Sequence, residues 1–112
     1  MKNKDKLKTW KRNYYHTVLK FDPEWKLLQY NRKVLNKYLK DKKDRPTKDF
    51  VGCTIQELKL YLESQFTEDM SWENYGEHWH VDHVIPCKLF DLNVPEERLK
   101  CFHYSNLQPL LS

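Results

Sequence analysis

Apolar positions in the first third of the chain recur at helical spacing. Leu7, Trp10, Tyr14 and Val18 are separated by three, four and four residues, which places them on one face of a first helix whose other faces are mainly Lys, Arg and Asn. A second helix is marked at its start by Asp22, Pro23 and Glu24, which supply a capping oxygen, a ring that suits the first turn and a carboxylate that complements the helix dipole. Trp25, Leu28, Leu35, Tyr38 and Leu39 form its expected apolar stripe. The polar, basic run from Lys40 to Lys48 around Pro46 then reads as a linker, dividing the chain into 1–48 and 49–112.

Past that linker the pattern shortens. Thr54 and Glu57 have the spacing of a capping box, in which hydroxyl and carboxylate satisfy each other's backbone donors, and they open a helix expected to reach about Phe66. Ile55, Leu58, Tyr61, Leu62 and Phe66 should face inward, and Gly52 allows a tight entry. Met70 to Gly76 reads as a short ordered loop. Trp79, Val81, Val84 and Ile85 favour an apolar strand, stopped by Pro86, and a capped turn at Pro95 to Cys101 leads to an extended segment, Leu107 to Leu111, that could pair with it. Helices followed by a small strand pair make an α+β fold.

Charge changes this picture more than composition does. Residues 1–48 carry sixteen Lys and Arg against five Asp and Glu, net +11, while residues 49–112 carry four against eleven, net −7. A basic half joined to an acidic, His-rich half suggests that the first holds a polyanion on which the second acts, and nucleic acid is the obvious polyanion. Lys8, Lys11, Arg12, Arg32, Lys33 and Lys37 are the expected contacts, interleaved with aromatic residues that either form a buried face or stack on bases. A solvated basic surface is the plainer alternative. Cys53, Cys87 and Cys101 are odd in number and unpaired in spacing, and no apolar signal segment or membrane-length run is present. Those features point to reduced thiols in a cytoplasmic, intracellular protein that does not engage a membrane.

The chemistry concentrates between His78 and Pro86, where three imidazoles and a carboxylate fall within six residues of an apolar strand. Asp82 is a hard oxygen ligand suited to Mg2+ or Mn2+, and the His83 imidazole can take a proton from water. A metal ligand beside a general base is what phosphodiester hydrolysis needs. Neighbours on a regular strand point to opposite faces, however, so the strand must twist, bulge or end there for both to reach one phosphate. His16, His78 and His103 read as hydrogen-bonded or surface histidines, and the scattered cysteines lack the paired spacing of a structural zinc site.

Several ordered blocks carry a resemblance. Trp72-Glu73-Asn74-Tyr75-Gly76, Trp79-His80-Val81-Asp82-His83-Val84-Ile85-Pro86, Phe90-Asp91-Leu92 and Cys101-Phe102-His103-Tyr104-Ser105-Asn106-Leu107-Gln108-Pro109-Leu110 resemble HNH endonucleases of the ββα-metal fold, and among them phage and large-virus homing or nicking enzymes. The resemblance covers roughly residues 52–112. It implies that Asp82 binds a single divalent metal, Mg2+ or Mn2+, that His83 is the general base, that Asn106 orients the base, and that His80 contacts the scissile phosphate. The family's third motif residue would fall at position 115, past Ser112, so the expected fold is a basic helical arm followed by an HNH core that stops before its final helix. Apolar side chains near Val84 and Leu110 would then be exposed, and a second copy of the chain could cover them as a homodimer. The reading is a metal-dependent DNA endonuclease; the alternatives are a non-catalytic DNA-binding or regulatory module on the same scaffold, and a protein-interaction domain with a basic arm.

Overall fold

Asp22 Oδ1 accepts a hydrogen bond of 3.0 Å from the Glu24 N–H and so caps α1, Pro23–Leu39, in the computed structural model, which describes residues 22–112. The expected first helix, with Lys8, Lys11, Arg12 and His16, lies outside the described residues. The buried face of α1 is Leu27, Asn31, Leu35 and Leu39, at steps of four. This differs from the expected stripe: Trp25 and Leu28 are half-buried, and Tyr38 is 42% exposed. Reading Asn31 as polar hides the true face, because the side chain that joins Leu27 to Leu35 is itself buried. Its Nδ2 has no hydrogen-bond partner among the described residues.

The expected linker is largely ordered, with a 3-10 turn at Lys40–Lys42 and the short helix α2, Thr47–Val51. Gly52 ends α2 at φ 80, a conformation that favours glycine, and its N–H donates to Lys48 O. A side chain there would also collide with His103, whose ring atoms lie 2.7 Å from where Cβ would stand. The capping box of Thr54 and Glu57 is formed as expected and opens α3, Ile55–Glu63. α3 ends one turn short of Phe66 because the Gln65 and Phe66 N–H groups bond three residues back, to Leu62 and Glu63.

Two strands, β1 (Trp79–His83) and β2 (Leu107–Leu111), pair antiparallel, with Trp79 opposite Leu111 and His83 opposite Leu107. One face of the pair buries Trp79, Val81, Leu107 and Pro109; the other carries His80, Asp82, Gln108 and Leu110, all at least partly exposed. Between the strands stand a 3-10 turn at Cys87–Leu89, the helix α4, Pro95–Phe102, and a 3-10 turn at Tyr104–Asn106. This is an α+β arrangement.

Its core has two parts. Leu27, Val51, Leu58, Leu62, Trp79, Val81 and Leu107 form one cluster, rimmed by Phe66, Trp72 and Tyr75, whose rings lie 4.6–5.3 Å from one another or from Trp79 along the contacts Phe66–Trp72, Phe66–Trp79 and Tyr75–Trp79. Leu35, Leu39, Phe50, Cys87, Cys101 and Phe102 form the second. α1 contributes to both, so its residues share a core with those beyond position 49. Each fully buried leucine contributes about 2 kcal/mol, which fixes α1 against the strand pair. Val84 and Leu110 are 53% and 44% exposed. None of the described helices is long and apolar enough to cross a membrane.

Candidate active site

The strand β1 stops at His83 because the chain beyond it is claimed by one residue, through both its backbone and its side chain. Val84 N–H donates to Asn106 O at 2.8 Å, Ile85 N–H donates to Asn106 Oδ1 at 2.9 Å, and Asn106 Nδ2 donates to Ile85 O at 3.1 Å and to Cys101 O at 2.9 Å. A buried amide thus ties the segment after His83 to the end of α4. The turn that presents Asn106 is held by His103, whose Nδ1 accepts from the Ser105 N–H and lies 2.8 Å from Ser105 Oγ. The reading of His103 as a hydrogen-bonded structural histidine matches this geometry.

Ending the strand there brings Asp82 and His83 to one cleft of about 280 Å3, although alternation along β1 points them to opposite faces. The opposite wall is α1, which contributes Tyr30, Lys33, Val34, Lys37 and Tyr38. Lys33 and Lys37 were expected nucleic-acid contacts, and they are the two such residues of α1 that line this cleft. Arg32 is exposed on the same helix but is not part of the lining. Lys37 Nζ lies 5.3 Å from the Tyr38 ring centroid, close enough for the ring to steady the cation. Burial pushes the Tyr30 hydroxyl well above the ordinary tyrosine range, and the neighbouring Tyr75 and Asp82 add to it, so Tyr30 remains a neutral donor beside the carboxylate. Its place at the cleft could not be read from sequence, where it was one of several aromatic residues among charges.

His80 stands outside the cleft. It is exposed, and its Nδ1 lies 3.0 Å from Ser112 Oγ, next to the strand end where Ser112 N–H donates to His78 O. A larger groove of about 490 Å3, lined by Trp25, Leu28, Cys53 and Ile55, contains no histidine. Size therefore does not locate the chemistry.

Asp82 is half-buried at the cleft, and its carboxylate has no hydrogen-bond or ion-pair partner among the described residues. An unpaired carboxylate beside open space suits a hard cation that keeps most of its waters, which is the donor set Mg2+ or Mn2+ accepts. On the other side of the strand lies a softer set. One ring nitrogen of His83 and the sulfurs of Cys87 and Cys101 lie within 4.8 Å of one another, and Cys101 Sγ donates to Cys87 Sγ at 3.0 Å. That donation, with the adjacent His83 ring, holds the Cys87 thiol below the ordinary cysteine range, while donation and burial push Cys101 up. The Phe102 ring meets His83 edge-on, with centroids 5.9 Å apart. Spacing along the chain gave no sign of this cluster, because its members come from β1, a 3-10 turn and α4.

No family model matches the sequence, and no solved structure matches the chain. The chain is similar to two uncharacterized proteins of Acanthamoeba polyphaga mimivirus. One is 36% identical over 108 residues, covering 96% of this chain and 48% of the relative. The other is 42% identical over 99 residues, covering 88% of this chain and 42% of the relative. The chain therefore spans about half the length of the curated relatives it matches.

Proposed function

We propose that this chain is a metal-dependent endonuclease of the HNH type that hydrolyses phosphodiester bonds in DNA. The observation that carries the reading is the shared cleft: a carboxylate, an imidazole and two lysines line a single opening about 280 Å3 in volume. Lys33 and Lys37 supply positive charge for a phosphate, and Tyr30 and Tyr38 supply ring faces beside it. Asp82 would hold Mg2+ or Mn2+, which, when bound, stabilises charge on the phosphate and the leaving oxygen.

His83 accepts the proton of the attacking water at a ring nitrogen as the oxygen bonds to phosphorus and the ester oxygen departs. Asn106 acts through backbone, holding residues 84 and 85 so that the imidazole stays at the rim of the cleft. The basic residues of α1 add affinity that does not depend on base sequence.

The direct test is conversion of supercoiled plasmid to nicked or linear forms with Mg2+ or Mn2+, stopped by chelator. Asp82→Ala should abolish the metal response. DNA binding with no cleavage at any concentration of either ion would leave the non-catalytic DNA-binding reading in its place. Neither binding nor cleavage would leave an interaction domain.

A further inference from the structure

We propose that His83, Cys87 and Cys101 form a second site, specific for a soft divalent cation such as Zn2+, and that an ion bound there withdraws His83 from base catalysis. The second half rests on the nuclease reading; the site itself does not. Around a tetrahedral zinc, with bonds of ~2.3 Å to sulfur and ~2.0 Å to nitrogen, ligand atoms stand roughly 3.5–3.8 Å apart. The three donor atoms here lie within 4.8 Å and the sulfurs 3.0 Å apart, so each pair needs to move by no more than about 1.3 Å to meet that geometry.

The site is built rather than incidental. Cys101 is fully buried and Cys87 is 7% exposed, while His83 is half-buried and reaches the cleft, giving an ion one route in. Asn106 fixes two of the three ligand-bearing segments relative to each other by bonding both Ile85 and Cys101. Binding would release the thiol protons to solvent and take the neutral imidazole, leaving a fourth position for water.

Chemical softness separates this site from its neighbour. Two sulfurs and an imidazole select zinc over Mg2+ or Mn2+, whereas the lone Asp82 carboxylate favours the harder ions. Adjacent residues thus feed ligand sets of opposite preference, and one kind of ion supports hydrolysis while the other opposes it. A disulfide between Cys87 and Cys101 would use the same sulfurs but would give His83 no part.

The test uses the full chain kept reduced with a phosphine. Titration with Co2+, the spectroscopic substitute for zinc, should give one equivalent of binding with intense thiolate-to-cobalt charge-transfer absorption, displaced by one equivalent of Zn2+. The His83 imidazole resonances should shift in step with the first equivalent of Zn2+. Cys87→Ser and Cys101→Ser should each weaken binding by at least about 100-fold. The wild-type spectra decide the matter even where a serine variant fails to fold. No charge-transfer band in the reduced protein, or His83 resonances unmoved at one equivalent of Zn2+, would overturn the site. In the nicking assay, equimolar Zn2+ should suppress Mg2+-supported cleavage in the wild type and much less in Cys101→Ser; equal suppression would overturn the regulatory half. Zinc binding through His83 in a protein that never cleaves DNA would leave the site standing and remove the nuclease reading.

Discussion

Asn106 is the residue on which the geometry of the segment after His83 depends. Its side chain is buried and makes three hydrogen bonds, to Ile85 N, Ile85 O and Cys101 O. Asn106→Ala should lower unfolding stability by about 2–4 kcal/mol, because the partner groups lose their bonds in a place water reaches poorly. Asn106→Asp keeps the acceptor for Ile85 N but loses both donations, so it should also be markedly destabilising. Urea midpoints measure this, and a variant within 0.5 kcal/mol, roughly the size of an ordinary surface effect, would remove the buttressing role. Asp82 and His83 were legible in the sequence as neighbours at the end of an apolar strand, because their residue types and order stand out there. Tyr30, Cys87 and Cys101 were not, since only tertiary packing brings a helix and a distant turn to the strand end.

At the scale of elements, caps were legible and ends were not. Asp22 and the pair Thr54 and Glu57 act within three residues, so their hydrogen bonds follow from local sequence. Thr54→Ala should cost about 1 kcal/mol by stripping α3 of its capping hydroxyl, visible as a lowered urea midpoint; no change would mean that packing alone starts the helix. The end of β1 at His83 and the buried face of α1 depend instead on long-range partners, Asn106 and the two core clusters. α1 both packs into the core and lines the cleft. Removing residues 1–48 would take Leu27, Leu35 and Leu39 from the core and could not isolate a DNA-contact role. Lys33→Gln with Lys37→Gln is the cleaner change, because both side chains are exposed. The double variant should weaken DNA binding and reduce the slope of log affinity against log salt by about 2, near one unit per phosphate contact. Arg32→Gln, outside the cleft, should do less; an equal effect from Arg32 would mean that general charge, not the cleft, holds DNA.

For the whole molecule, burial makes stability fall at high pH. Burial raises the Tyr75 hydroxyl from the ordinary 10.0 to about 12 and the Cys53 thiol to about 11, and it raises Tyr30 further. An acid whose folded pKa is raised is favoured neutral by the fold, so its contribution is whole below the ordinary value and is lost as pH climbs through the raised one. The urea midpoint should therefore begin to fall as pH passes about 9, the ordinary value for Cys53, and continue downward toward 12. A midpoint unchanged through that window would mean that these groups are more solvated than the fold indicates. The α+β architecture and the pairing of Leu107–Leu111 with the His-rich strand were both legible, because alternation and turn residues mark them. The sharing of α1 between two clusters was not, since a polar run reads as a boundary even where the chain packs across it. The central claim is that Asp82 and His83 hydrolyse DNA in the cleft that α1 closes. The measurement that tests it most directly is the single-turnover rate of plasmid nicking in Mg2+ for wild type and His83→Ala, with each protein saturating the DNA. The account predicts a loss of about 100-fold or more in rate, with DNA affinity within a few-fold of wild type. Cleavage by His83→Ala at the wild-type rate would contradict it.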